Sequence, residues 1–162
     1  MKKMILPAIL GAAAVVATAC GAGAGLYGGA AASPATASGT TGVAVAVGTS
    51  NLGPLLVDGR GRTLYLFAAD TSSSSTCYDA CAQAWPPLLA GTATPRAETG
   101  VTAGELGTTK RRDGGAEVTY NGHPLYLYVG DAKPGDIVGQ GLNQFGAAWY
   151  AVAPGGSKID NG

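Results

Sequence analysis

Residues 63–70 read TLYLFAAD, and a closely similar segment, PLYLYVGD, returns at residues 124–131 after an offset of 61 positions. Each copy is preceded by a glycine-containing turn and followed by a tryptophan, Trp85 in the first case and Trp149 in the second. This ordered correspondence indicates an internal duplication. Two copies are too few for a solenoid, so we expect them to pair into one closed core.

Aromatic and leucine side chains alternate within each copy. In a strand, Tyr65 and Phe67 point to one face and the neighbouring leucines to the other, and Tyr126 and Tyr128 repeat this arrangement. Both faces are therefore apolar, which predicts strands that are covered on both sides.

An acidic residue ends each copy, Asp70 in the first and Asp131 in the second. We expect these carboxylates to cap a turn or to accept a hydrogen bond from a buried tyrosine, since a buried phenol needs a partner. The alternative is that the aromatic rings form an open platform for a sugar, a quinone or a haem edge.

The other local patterns also favour β-structure. Valines alternate with small residues at residues 43–47, and residues 149–152 have the composition of a closing strand. The single helical candidate is the alanine-rich stretch at residues 76–84, which ends before Pro86-Pro87.

Two hairpins are predicted. One joins residues 55–57 to residues 63–67, and the other joins residues 117–120 to residues 125–128. The second turn is Asn121-Gly122, a pair that suits a type I′ turn because both central residues need positive φ.

These elements predict a mainly β fold. Two hairpin-based pseudo-repeats, at about residues 43–92 and 104–155, pack into one small domain spanning residues 43–155. One short helical turn is expected to hold the cysteine pair, Cys77 and Cys81.

Five segments resemble a known family: YLFAAD, YLYVGD, CYDACAQAWPPL, VTYNGHPLY and GAAWYAV. They are similar to the secreted-repeat lipoproteins defined by a Tyr-x-aromatic-x-x-Asp motif, and the resemblance covers nearly all of residues 43–154. It implies a fold unit and an envelope address, and no reaction, because the family is described as repeats of unknown function. The motif residues that it implies are Tyr65, Phe67, Asp70, Tyr126, Tyr128 and Asp131.

The N-terminus has the features of an export signal. Lys2 and Lys3 precede an uncharged, mostly apolar run at residues 4–17, which is too short to span a bilayer. Residues 17–20, Ala-Thr-Ala-Cys, resemble the bacterial lipoprotein cleavage box, in which Cys20 becomes the lipidated first residue. An ordinary secretory signal that is cut near Ala19 is the alternative.

The chain is thus divided into a signal peptide at residues 1–19, a lipidated Cys20 with a flexible stalk at residues 20–42, the domain, and a disordered tail at residues 156–162. The expected partner is a lipid bilayer, reached through acylated Cys20. We expect the protein to be exported and anchored on the outer side of the cytoplasmic membrane or in the cell envelope.

Charge argues against a nucleic-acid partner. Removal of the signal leaves eight basic and ten acidic side chains, a formal charge of −2, with no basic stripe. The one cationic cluster, Lys110-Arg111-Arg112, lies beside a glycine-rich turn and is expected to be a solvated hairpin tip.

Cys77 and Cys81 are the cysteines that remain after lipidation, and an oxidising compartment favours a disulfide between them. In an ideal helix, side chains four residues apart lie about 5–6 Å apart at Cβ, whereas a disulfide needs about 3.8 Å. A bond therefore requires the segment to bend away from helix geometry. The alternative is a thiol or copper site in which His123 joins the two sulfurs, since thiolates and imidazole suit copper.

The leading functional hypothesis is a non-catalytic envelope lipoprotein that acts as a surface binding or structural module. The alternative is a redox-active or copper-handling protein that uses Cys77, Cys81 and His123. No hydrolase or phosphate-loop motif is present, and no cofactor other than copper is suggested by the sequence.

Overall fold

The structure is a computed structural model that describes residues 42–160. The predicted signal peptide, Cys20, nearly all of the stalk and the last two residues lie outside the described residues. Within the described range no helix is long and apolar enough to cross a membrane.

The described residues form nine strands, one α-helix and one 3-10 turn at Ala103–Glu105. In chain order these are β1 (Ala44–Ser50), β2 (Gly53–Asp58), β3 (Tyr65–Phe67), α1 (Ala80–Ala84), β4 (Arg96–Ala97), β5 (Leu106–Lys110), β6 (Ala116–Tyr120), β7 (His123–Pro124), β8 (Asn143–Gln144) and β9 (Ala147–Ala151).

The strands form three small sheets, with the orders β2-β1-β4, β3-β9-β8 and β5-β6-β7. Pairing is antiparallel except between β1 and β4. In the second sheet, β3 of the first repeat pairs with β9 of the second, so Phe67 lies opposite Trp149. The prediction of a mainly β fold with a closing strand near the C-terminus is confirmed.

The first predicted hairpin forms only at the residues next to its turn. Val57 bridges Thr63, and the amide of Leu64 donates to the carbonyl of Leu56 at 2.9 Å. The Asp58 carboxylate stabilises the turn, because it accepts the backbone amides of two residues that follow it. Beyond Leu64 the chain leaves its hairpin partner and pairs with β9.

The second predicted hairpin forms as expected. Asn121 has φ 48° and Gly122 has φ 76°, the left-handed values that a type I′ turn requires. The turn joins β6 to β7, and the amide of Leu125 continues the pairing by donating to Val118 at 2.9 Å.

The two motif copies meet directly, side by side. Tyr65 and Tyr126 exchange both backbone hydrogen bonds, each 2.9 Å from nitrogen to oxygen, in an antiparallel bridge. Because these residues correspond in the two copies, the bridge marks a local two-fold relationship between the repeats. The expectation that the copies pair into one core is confirmed.

The core has two clusters, one on each face of the motif strands. Leu64, Leu66 and Leu125 belong to an aliphatic cluster, whereas Tyr65 and Phe67 belong to an aromatic one. The predicted alternation is therefore correct, and the strands are covered on both sides.

The helix is shorter than the sequence predicts. It begins at Ala80 instead of residue 76, because Asp79 has φ 53° and cannot continue a right-handed helix. Cys81 lies in α1, but Cys77 precedes it. The expectation that one helical turn holds both cysteines is corrected to a bent segment that leads into a short helix.

Residues 156–160 differ from the expected disordered tail. Lys158 bridges Val152, and the amide of Ile159 donates to the carbonyl of Ala151 at 2.8 Å. This segment pairs because Gly156, with φ 81°, reverses the chain and brings it back along the end of β9.

Candidate functional site

The two motif tyrosines are bonded to the acidic residue of the opposite repeat. Tyr65 Oη donates to Asp131 Oδ2 at 2.7 Å, and Tyr126 Oη donates to Asp70 Oδ2 at 2.5 Å. Both tyrosines are fully buried. We call these the crossed pairs, because each of them joins one repeat to the other.

The second oxygen of each carboxylate holds a turn. Asp70 Oδ1 accepts the amide of Thr76 at 2.8 Å and its hydroxyl at 2.6 Å. Asp131 Oδ1 accepts the amide of Val138 at 2.9 Å. Both functions expected from the sequence, capping a turn and accepting a phenol, are present at each position.

Burial sets the protonation of the crossed pairs. Burial raises the pKa of both phenols far above that of a free tyrosine, and the negative carboxylates beside them raise it further. The pKa of Asp131 is also raised, chiefly by burial, although the hydrogen bond from Tyr65 acts in the opposite direction. The phenols therefore remain protonated and act as hydrogen-bond donors.

Four rings lie face to face beside the crossed pairs. Phe67 stacks on Trp149 at a centroid distance of 4.1 Å, Trp149 on Trp85 at 4.0 Å, and Trp85 on Tyr128 at 4.2 Å. We call this the aromatic stack. It also crosses the repeats, because Phe67 packs on Trp149 of the second copy and Tyr128 packs on Trp85 of the first.

The motif tyrosines contact the aromatic stack through ring edges. Tyr65 meets Trp85 at 5.3 Å and Tyr126 meets Trp149 at 5.1 Å, both in T-shaped geometry. Gln144 accepts both indole N–H groups, from Trp85 through Oε1 at 2.9 Å and from Trp149 through its carbonyl at 3.1 Å. One residue of β8 thus fixes the orientation of both tryptophans.

A buried arginine lies behind the second crossed pair. Arg111 Nη1 donates to Glu117 Oε2 and to Ser75 Oγ, each at 2.8 Å. Its Nη2 donates to the carbonyl of Cys77 at 2.9 Å, and its Nε pairs with Asp113 at 3.0 Å. Burial acts to lower the pKa of Arg111, but the two carboxylates keep it above its usual value.

The cationic cluster at the β5–β6 hairpin is therefore only partly solvated. Lys110 and Arg112 are exposed as expected, but Arg111 is 2 % exposed, so the expectation of a solvated tip is wrong at this residue. The reason is that Glu117 faces the interior and needs a cation there.

This cluster connects to the motif. Ser75 Oγ lies 2.6 Å from Tyr126 Oη. Since the phenol proton is donated to Asp70, the serine hydroxyl is the donor in this contact. Burial raises the pKa of Glu117 to about 7, against the opposing effect of Arg111. Glu117 Oε1 is buried and has no hydrogen-bond partner among the described residues.

Two stretches of the chain, residues 46–89 and 107–153, match a family model described as a secreted repeat of unknown function. Together they cover more than half of the chain and contain both copies of the motif. The chain belongs to this family of secreted repeats. No curated protein and no solved structure matches it.

In this secreted repeat the cysteines are joined. Cys77 and Cys81 form a disulfide with a Cα–Cα distance of 5.2 Å. Both are buried in the aromatic cluster. The predicted bend away from helix geometry occurs at Asp79, as described above.

The third copper candidate occupies a different setting. His123 is half-exposed in β7, pairs with Tyr120, and lines a shallow cleft of about 250 Å³ with Phe67 and Lys158. Across residues 42–160, no group of three or more His, Cys, Asp or Glu side chains is arranged to hold a metal ion.

The open-platform hypothesis is wrong for three of the four motif rings. Tyr65, Phe67 and Tyr126 are buried, and only Tyr128 is partly accessible. The three buried rings leave no face free for a sugar or a haem edge to stack upon, whereas Tyr128 keeps part of its ring accessible.

Sequence reasoning missed three residues that hold this interior together: Arg111, Glu117 and Gln144. The role of Glu117 could have been predicted, because it lies in a strand that is otherwise uncharged and largely buried. A buried carboxylate in such a strand requires a cation beside it. Gln144 offered no comparable signal, since it lies in a short strand among glycines.

Proposed function

We propose that this secreted repeat is a non-catalytic module of the cell envelope, tethered to a membrane through lipid on Cys20, with a structural or binding role. The observation that supports a structural role for its motif is the pair of crossed tyrosine–aspartate bonds. Each carboxylate oxygen of Asp70 and Asp131 accepts at least one hydrogen bond from the protein.

A catalytic carboxylate or phenol must reach its substrate. Tyr65 and Tyr126 are fully buried and Asp70 is 3 % exposed, whereas Asp131 is partly accessible but is bonded to Tyr65 and Val138. The motif therefore acts by closing the two repeats upon each other. A ligand or partner would instead meet the outer loops, which the closed core holds in fixed positions.

The membrane tether is supported by the sequence. Residues 17–20 have the form of a lipoprotein cleavage box, and residues 21–42 are almost wholly small residues and proline. The Cys77–Cys81 disulfide is consistent with export, because such bonds persist in oxidising compartments.

The tether is tested by comparing wild type with Cys20→Ala in cell fractions. Acyl chains stabilise membrane attachment by about 0.8 kcal/mol per buried methylene, so the variant should leave the membrane fraction. Ala17→Leu, which keeps Cys20, is the matched control and should stay bound. A Cys20→Ala protein that remains in the membrane, or a mature wild-type N-terminus without lipid, would contradict the proposal.

A further inference from the structure

The aromatic stack contains two indoles and one phenol, the aromatic side chains that lose an electron most readily. Trp85 and Trp149 are nearly parallel, with an interplanar angle of 5° and a centroid distance of 4.0 Å. Indole rings in such contact share π overlap, so an electron vacancy on one spreads to the other. Tyr128 covers the outer face of Trp85 and is half-buried, so the stack reaches solvent at this end.

Each indole also has a phenol at its edge that can release both an electron and a proton. Oxidation makes a phenol strongly acidic, and a buried phenol must then pass its proton to a base that is already in contact. Tyr126 has Asp70 at 2.5 Å, and Tyr65 has Asp131 at 2.7 Å. Each of these buried tyrosines thus has a carboxylate at its hydroxyl and an indole at its ring edge.

A third buried tyrosine shows what the crossed pairs add. Tyr120 is fully buried, but its hydroxyl donates to the backbone carbonyl of Pro154 at 2.8 Å. A carbonyl oxygen of this kind is a poor proton acceptor. Tyr120 also belongs to the aliphatic cluster and lies apart from the stacked rings.

We propose that the aromatic stack and the crossed pairs form a relay that moves one oxidising equivalent from the domain surface to a buried tyrosine. The substrate class is a one-electron oxidant that meets the stack at Tyr128. The inference goes beyond the envelope role and does not depend on the lipid tether.

The oxidant takes one electron from the tryptophan pair across the Tyr128 ring, which leaves an indole radical cation. Tyr126 then gives an electron to that indole while its O–H bond breaks, and the proton forms a new O–H bond on Asp70 Oδ2. The products are the reduced oxidant, a restored indole, a neutral Tyr126 phenoxyl radical and a protonated Asp70. Tyr65 and Asp131 provide the equivalent end point on the other indole.

The test is flash photolysis of the full-length protein in detergent, with a ruthenium tris-bipyridyl sensitiser and a sacrificial electron acceptor as the oxidant. Freeze-trapped samples are examined by electron paramagnetic resonance. The variant Tyr65→Phe with Tyr126→Phe retains both rings and removes both phenols. Tyr120→Phe is the matched control, because it removes a buried phenol that lacks a carboxylate and an indole.

Wild type and Tyr120→Phe should trap a radical on a buried tyrosine. The double variant keeps Tyr128 but lacks both carboxylate-bonded phenols, so it should lose most of the tyrosyl signal and show a tryptophanyl signal instead. An equal tyrosyl signal in the double variant, or its loss in Tyr120→Phe, would overturn the proposal. Wild type alone gives a second readout that needs no folded variant. A tyrosyl radical beside a protonated carboxylate shows an exchangeable proton coupling that disappears in D2O, and a wild-type radical without this coupling would also overturn the proposal.

Discussion

Tyr126 of the second repeat donates its hydroxyl to Asp70 of the first at 2.5 Å, while the backbones of Tyr126 and Tyr65 exchange hydrogen bonds beside it. The duplicated motif is thus completed only between copies. The tyrosine of each repeat is bonded to the aspartate of the other repeat, so we expect the two repeats to fold as one cooperative unit.

The first prediction concerns Arg111. Above the pKa of Glu117, Arg111→Ala should lower the free energy of unfolding by about 3–5 kcal/mol, because it leaves the Glu117 carboxylate buried without its cation. Chemical denaturation monitored by tryptophan fluorescence measures this directly. Arg112→Ala is the control, since Arg112 is exposed and loses only a solvated ion pair with Asp79 and a cation–π contact with Tyr78, so the change there should stay within about 1 kcal/mol. Equal effects of the two substitutions would show that Arg111 is not the structural residue we describe.

The second prediction concerns pH. The pKa of Glu117 is raised in the folded protein from 4.5 to about 7, so the folded state holds a proton that the unfolded chain releases. The contribution of Glu117 to the free energy of unfolding should therefore be greatest below about pH 4.5. It should decrease as the pH rises from there through about 7.

Glu117→Gln should flatten this dependence, because the amide does not titrate. Asp131, whose pKa is also raised, acts in the same direction and remains in the variant, so a shallower slope should persist. Melting temperatures of both proteins across this pH range provide the measurement. Parallel curves for the two proteins would mean that Glu117 keeps its ordinary pKa.

The strand faces could be predicted from the sequence, and the crossed pairing could not. Alternation along residues 63–67 is enough to place tyrosines on one side and leucines on the other, because strand geometry has a fixed period. Which aspartate each tyrosine meets depends on the antiparallel approach of the two copies, a tertiary property that the pattern of one copy does not contain.

The hairpin tip and the helix show two other limits. Arg111 stands among charged residues and reads as solvated, yet the buried acid across the hairpin draws it inward. Residues 76–84 have helical composition, but the left-handed Asp79 delays the start of the helix until Ala80. At the hairpin tip long-range packing overrides a local preference, whereas the left-handed residue at the helix start lies within the short loop that the Cys77–Cys81 disulfide closes.

The third prediction concerns the disulfide. Cys77 and Cys81 close a very short loop, so the stabilisation from restricting the unfolded chain is at the low end of the range for disulfides. The double variant Cys77→Ser with Cys81→Ser should remain folded, with only a modest decrease in melting temperature. In the wild-type protein, thiol titration should detect no free thiol before reduction and two free thiols after it.

The copper alternative predicts different results for the same protein. Freshly isolated protein would contain two free thiols and bind one copper ion per chain, and His123→Ala would weaken that binding. A copper titration against a competing chelator distinguishes the two accounts. Stoichiometric copper in the isolated protein would contradict the disulfide assignment.

The central claim is that the family motif joins the two repeats by crossed tyrosine–aspartate bonds, and a double-mutant cycle tests it most directly. Unfolding free energies are measured for wild type, Tyr126→Phe, Asp70→Asn and the double variant. A second cycle combines Tyr126→Phe with Asp131→Asn. Asp131 belongs to the same copy as Tyr126 but is bonded to Tyr65. The cross-repeat cycle should give a coupling energy within about 0.5–3 kcal/mol, and the same-copy cycle should be additive within about 0.5 kcal/mol. Coupling of Tyr126 to Asp131 together with additivity of Tyr126 and Asp70 would contradict the account.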